Sequence, residues 1–164
     1  MSPTATLEHA VKTELLCRIE AEVGEVESLG VMAAGERRVV AITGGNVLPS
    51  TSHMIAGRVL PGGADWQWLR SDGITEIAAH YAIETFDGDR IEVISNGYRH
   101  GPAQVLARLA KGQPVAASEY YFRTAVSFRT ASQRPPIARL NGLVAFAIGE
   151  RKARLVVLSI HALL

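Results

Sequence analysis

Four short segments carry polar and aromatic residues in combinations that suit proton chemistry or ligand recognition. The first is Gly62-Gly63-Ala64-Asp65-Trp66-Gln67. Its two glycines permit a sharp bend or the close approach of a ligand. Strand alternation then places Asp65 and Gln67 on one face, and Trp66 and Trp68 on the other. Facing a cavity, the Asp65 carboxylate would be desolvated, its pKa raised, and it could act as a general acid or base. In a plain turn it would cap the loop by accepting backbone N–H bonds. The second segment is Asn96-Gly97-Tyr98-Arg99-His100-Gly101. Arg99 and His100 stand between a strand and a helix, where they could bind a carboxylate or an enolate; the alternative is a loop whose Arg99 pairs with an acidic neighbour.

The third is Glu119-Tyr120-Tyr121-Phe122-Arg123. Tyr120 and Phe122 share one face, Tyr121 and Arg123 the other. Aromatic residues on strands are usually core, yet a buried tyrosine hydroxyl needs a partner and often lines a polar pocket. The fourth is Ala78 to Thr85, with His80 and Glu84 on one face and Tyr81 and Thr85 on the other. Ile77, Ala79 and Ile83 share the face of Tyr81, which makes Tyr81 the inward group and His80 a surface one.

Other chemistry is excluded by pattern. No two histidines stand at metal-ligand spacing and the single cysteine, Cys17, cannot build a thiolate zinc site or a disulfide framework, so no metal is expected. Ile42-Thr43-Gly44-Gly45 lacks the Lys-Ser/Thr ending and the helix of a phosphate loop, and there is no Gly-x-Ser-x-Gly elbow. Seventeen Lys and Arg balance sixteen Asp and Glu, which leaves no basic excess for nucleic acid. Arg37-Arg38 and Arg151-Lys152 read as solvated strand ends. No apolar run approaches the ~20 residues of a membrane span, and residues 1–8 have no signal-peptide character. A cytoplasmic protein is expected, with a flexible lead-in over 1–8 and a single domain over 9–164.

The elements that must position these segments are mostly strands. Leu15, Cys17, Ile19, Ala21 and Val23 alternate with Glu14, Arg18, Glu20 and Glu22, which predicts a half-buried antiparallel strand with an inert thiol on its apolar face. Further strands are predicted over 38–43, 54–60, 65–70, 74–85, 90–97, 119–129, 143–148 and 154–162. Ser71-Asp72-Gly73 and Asp87-Gly88 make hairpin turns. Pro102, the Val105-Leu106-Leu109 stripe and Gly112 predict one short helix. Pro135-Pro136 reads as a loop. About nine evenly spaced strands and one helix suggest an all-β, antiparallel closed barrel or a sandwich; a barrel of about eight strands can enclose one small ligand.

The residues also carry a resemblance. Ile42-Thr43-Gly44-Gly45, then Arg58-Val59-Leu60-Pro61-Gly62-Gly63-Ala64-Asp65-Trp66-Gln67, then Arg99-His100-Gly101-Pro102, then Tyr120-Tyr121-Phe122-Arg123-Thr124, with Asn141 before the last hairpin, resemble the bacterial and fungal family catalogued as domain of unknown function 3237. The resemblance implies a compact lipocalin-like or allene-oxide-cyclase-like β-barrel, often dimeric, and a homodimer is expected here. Its motif positions fall on Thr43, Asp65, Trp66, Gln67, Tyr81, Arg99, His100, Tyr121, Arg123 and Asn141. The Ser/Thr-rich stretch from Asn46 to Met54 is longer than the family pattern.

These readings converge on a cofactor-free acid/base enzyme, a lyase, isomerase or cyclase acting on a small, largely apolar, aromatic or carbonyl-bearing molecule. Asp65 would move the proton, Arg99 or His100 would steady a developing oxyanion, Tyr121 and Asn141 would hydrogen-bond the substrate, and Trp66 would stack on it or wall the pocket. Thr43, Gln67, Tyr81 and Arg123 complete the expected binding set. The competing readings are a carrier of a hydrophobic metabolite and a packed structural dimer module.

Overall fold

A computed structural model describes residues 10–53 and 55–164. The expected lead-in and the start of the strand placed at Met54 lie outside them. Among the described residues the chain runs β1 (Thr13–Met32), β2 (Gly35–Pro49), β3 (Gly57–Val59), β4 (Gly63–Leu69), β5 (Thr75–Thr85), β6 (Arg90–His100), α1 (Ala103–Ala110), β7 (Tyr121–Thr130), α2 (Pro135–Ala138), β8 (Ala145–Arg151) and β9 (Leu155–Leu163). Every ladder is antiparallel. From β1 the sheet runs through β9, β8, β7, β6 and β5 to β3 and β4, then to β2, which pairs with β1 as well. No helix among the described residues is long and apolar enough to cross a membrane.

Alternation sets the inner face. Ile77, Ala79, Tyr81 and Ile83 of β5, Ile91 and Val93 of β6 and Ile160 and Ala162 of β9 are all buried. Burial of this face is the main stabilising term of the fold. The pattern fails in β1 for a definite reason. The β1–β9 register shifts between Leu15 and Cys17, so Leu16 enters the core and the Leu15 side chain stays exposed, as at a β-bulge. Beyond Glu22, β1 leaves the β9 ladder and continues only beside β2. Val26, Leu29, Val31 and Met32 lie there in the open.

The ends of the strands differ. At the end holding Thr130, α2 and the 3₁₀ turn Arg139–Gly142 cover the core with Ile137 and Leu140. The Pro135-Pro136 pair, expected as a loop, opens α2, because a proline in the first turn has no N–H bond to lose. At the other end α1 follows β6. Pro102 is its N-cap, and the Pro102 carbonyl accepts the Val105 and Leu106 N–H groups at 2.9 and 3.1 Å. α1 puts Val105 into the core and packs Leu109 against it.

Candidate functional site

The strand ends next to α1 surround a cavity. Its mouth, about 500 Å³, is walled by β1 at Gly24–Val26, by Leu106 and Leu109 of α1, and by Glu36, Arg38, Leu69, Arg99 and Arg151. A narrower extension of about 40 Å³ reaches Asp65, Ser95, Phe122 and Thr124. Gln67, Val40, Arg99 and Arg151 line both, so the two are one site at two depths.

Register explains why residues so far apart in sequence meet. Asp65 pairs with Val40 on one side and Ala79 on the other, and Ala79 pairs with Ser95. Arg99 lies four residues further along β6, opposite Thr75 and Phe122, about 13 Å nearer the mouth at strand rise. Arg99 nevertheless lines the inner extension together with Asp65. Arg151 ends β8, where Ala145, Ala147 and Gly149 precede it on the inner face. Two glycines make room. A Cβ on Gly63 would lie 2.5 Å from the Tyr81 Cβ, so only glycine lets β4 approach β5 just ahead of Asp65. A Cβ on Gly149 would lie 2.6 Å from the Phe122 ring, over which the Arg99 guanidinium stands at 5.6 Å.

Asp65 is held on both oxygens. Gln67 Nε2, itself buried, donates to Oδ2 at 2.5 Å, and the Ala78 N–H donates to Oδ1 at 3.0 Å. The β4–β5 ladder skips Trp66 and Gln67, which frees that amide for the carboxylate. Burial raises the Asp65 pKa; the Gln67 and Ala78 bonds and the charges of Arg99 and Arg151 act against it. Burial also presses Arg99 down to about 10, with Arg151 beside it and Asp65 and Tyr120 opposing. Arg151 is lowered by burial against the same two groups. Both stay cationic at neutral pH. Among the described residues neither Arg99 nor Arg151 has an ion-pair partner, whereas Arg38 pairs with Glu36 at 2.6 Å and Arg154 with Glu25. The buried Tyr120 hydroxyl accepts the Arg151 backbone N–H at 2.7 Å and fixes the chain there.

Of the residues singled out by sequence, Asp65, Gln67 and Arg99 meet in this cavity. The others do not join them. Tyr81 points inward as expected but lies buried on the core side, its hydroxyl without a hydrogen-bond partner. His100 and Tyr121 stack on each other at 4.7 Å on the outer face, where both are exposed. Arg123 lies over Tyr121 and donates to the Phe122 carbonyl. Trp66 is outside too, with the Arg37 guanidinium 5.3 Å from its ring. Thr43 is exposed and donates to the Glu22 carbonyl. Asn141 ties the end of β7, accepting the Thr130 N–H and donating to its carbonyl. Sequence reading missed Arg151, placed at a solvated strand end; the alternation Ala145, Ala147, Gly149 carried the signal that position 151 faces inward.

The conserved-domain model for protein of unknown function (DUF3237) matches residues 11–163. The chain belongs to this DUF3237 family. A UPF0311 protein of Rhodopseudomonas palustris is 37% identical over 164 residues, the full length of both chains. The crystal structure of a conserved protein of unknown function from that organism superposes with a TM-score of 0.89 at 35% identity, over 96% of this chain and 100% of the other. A β-barrel-like protein of Acinetobacter baumannii reaches 0.80 at 34% identity, over 97% and 99%. An enzyme from Penicillium herquei, 21% identical, reaches 0.67 over 95% and 98% and shares the fold alone.

Proposed function

We propose that the sheet closes into a barrel whose α1 end is a ligand mouth, and that this DUF3237 protein moves protons on a small carbonyl-bearing molecule held there. The observation that carries the reading is Asp65 facing two cavity arginines that have no acidic partner among the described residues. Asp65 would take a proton from the carbon beside the substrate carbonyl, and the electron pair would move onto the carbonyl oxygen. The guanidinium groups of Arg99 and Arg151 would steady that enolate as the proton leaves. Asp65 would return the proton to the same or another carbon, completing an exchange, an isomerisation or a ring closure without net redox change. Its raised pKa suits a group that must both accept and release a proton.

One observation favours a carrier instead. Both Asp65 oxygens already accept a hydrogen bond, as a carboxylate that only ties down its own strand would. The two readings part in one assay. 1-Indanone and 2-tetralone are incubated with the protein in D₂O, and loss of their α-proton signals is followed by NMR. The enzyme reading expects exchange above buffer, a drop of about 10²–10⁴-fold in Asp65→Asn, and unchanged rates in His100→Ala and Tyr121→Phe on the outer face. Ketones that bind without exchanging would establish the carrier, and ketones that exchange as fast with Asp65→Asn would overturn Asp65 as the proton-moving group.

A further inference from the structure

Resting on that reading of the cavity, we infer that its ligand is an amphipathic anion whose carboxylate, or an equivalent oxyanion, is clasped between Arg99 and Arg151. The charges around the cavity do not cancel. Arg38 is answered by Glu36 and Arg154 by Glu25. Arg99 and Arg151 are left with Asp65, which is not joined to either as an ion pair and whose two oxygens are already engaged by Gln67 and Ala78. Two guanidinium groups that repel one another and are lowered by burial are costly to hold in one place. Buried arginines are ordinarily matched by carboxylates, often in a two-pronged bond.

The surroundings keep both cations in place. Arg99 rests over the Phe122 ring, which the bare Gly149 backbone admits, and the Arg151 backbone is pinned by Tyr120. Beside the internally paired Glu36–Arg38 and Glu25–Arg154, the mouth carries an apolar wall formed by Val26, Val40, Leu69, Leu106 and Leu109. Its volume, about 500 Å³, falls in the range of about 300–1,000 Å³ typical of small-molecule sites. A purely apolar guest would leave the guanidinium groups desolvated and unmatched. A small inorganic anion would leave the leucine wall empty. A carboxylate on an apolar body satisfies both.

The test compares octanoate, benzoate and 2-naphthoate with their own primary amides by calorimetric titration at pH 7, on the wild-type chain and on Arg99→Gln, Arg151→Gln and Arg37→Gln. At least one acid should bind tenfold or more tightly than its amide. That ratio should fall to within threefold in Arg99→Gln and Arg151→Gln and persist in Arg37→Gln, whose side chain lies over Trp66 and Trp68 on the outer face. Taking the acid-to-amide ratio within each variant cancels any loss of folded protein. Amides that bind as tightly as the acids overturn the anion inference and leave the cavity as a binding site. If no acid and no amide binds the wild-type chain, the cavity reading falls and the inference with it.

Discussion

Replacing Arg99 by methionine should make the protein more stable while disabling its site. Burial and the neighbouring Arg151 press the guanidinium well below its ordinary value, to about 10. At about 1.36 kcal/mol per pH unit, its charged form is disfavoured by roughly 3 kcal/mol relative to the unfolded chain. The folded pKa is below the unfolded one, so this penalty is fully present at every pH under about 10 and disappears only as pH rises through the two values. Methionine keeps an apolar stem of similar reach. It gives up the contact with Phe122, worth about 0.5–1 kcal/mol. The net expectation is a gain of about 2 kcal/mol at pH 7, or a rise of roughly 4–8 °C in Tm for a chain of this size. Urea titration followed by the fluorescence of the two tryptophans reads the change as a higher midpoint at unchanged slope. The same variant should lose the preference for carboxylates over amides. If Arg99→Met is instead destabilised by 1 kcal/mol or more, Arg99 is a structural residue matched by its surroundings, and the charge imbalance assigned to the cavity is wrong.

Two further outcomes follow from the packing. Gly149→Ala places a methyl group 2.6 Å from the buried Phe122 ring; it should cost about 1–3 kcal/mol by overpacking and weaken acid binding by tilting the ring beneath Arg99, and an unaltered urea midpoint would show that this ring has room to move. The Cys17 thiol is 2% exposed and pushed up to about 12 by burial, so a disulfide reagent at pH 8 should leave the native chain unlabelled and react with it fully in urea; prompt labelling of native protein would contradict the packing between β1 and β9.

Strand parity was legible in the sequence, and it separated Asp65 and Gln67 from Trp66 and Trp68, and Tyr81 from His80. The same rule, carried through, also places Tyr121, Arg123 and His100 outside, because Phe122 and Arg99 face in. Their chemistry as residue types drew them into the candidate site against that parity. Convergence was not legible. Asp65, Arg99 and Arg151 stand on β4, β6 and β8, and only the ladder registers set them at one end of the sheet. Arg151 looked like a solvated hairpin end because its neighbours Lys152, Ala153 and Arg154 are exposed. The far half of β1 was missed for a different reason: past Glu22 it pairs on one edge only, so no buried face imposes alternation on Glu25, Glu27 and Leu29. The α2 turn was hidden because prolines, which end helices elsewhere, begin this one.

The inner face divides the molecule by function at the level of Ser95 and Thr124. These two hydroxyls are buried, and Ser95 donates to Thr124 at 2.7 Å. Toward α2 the inner face is almost wholly apolar, with Val93, Ile91, Ile83 and Ile160 buried and Ile137 and Leu140 closing the end. Toward α1 stand the carboxylate and the unmatched guanidinium groups. The apolar core lets the α1 end hold charges that oppose folding, the usual relation between a scaffold and its site. A packed structural module would gain nothing from Arg99 and Arg151 in that position, since apolar residues of similar volume would serve it better. Their presence beside an open cavity, rather than the lone carboxylate, is the feature that a ligand must explain.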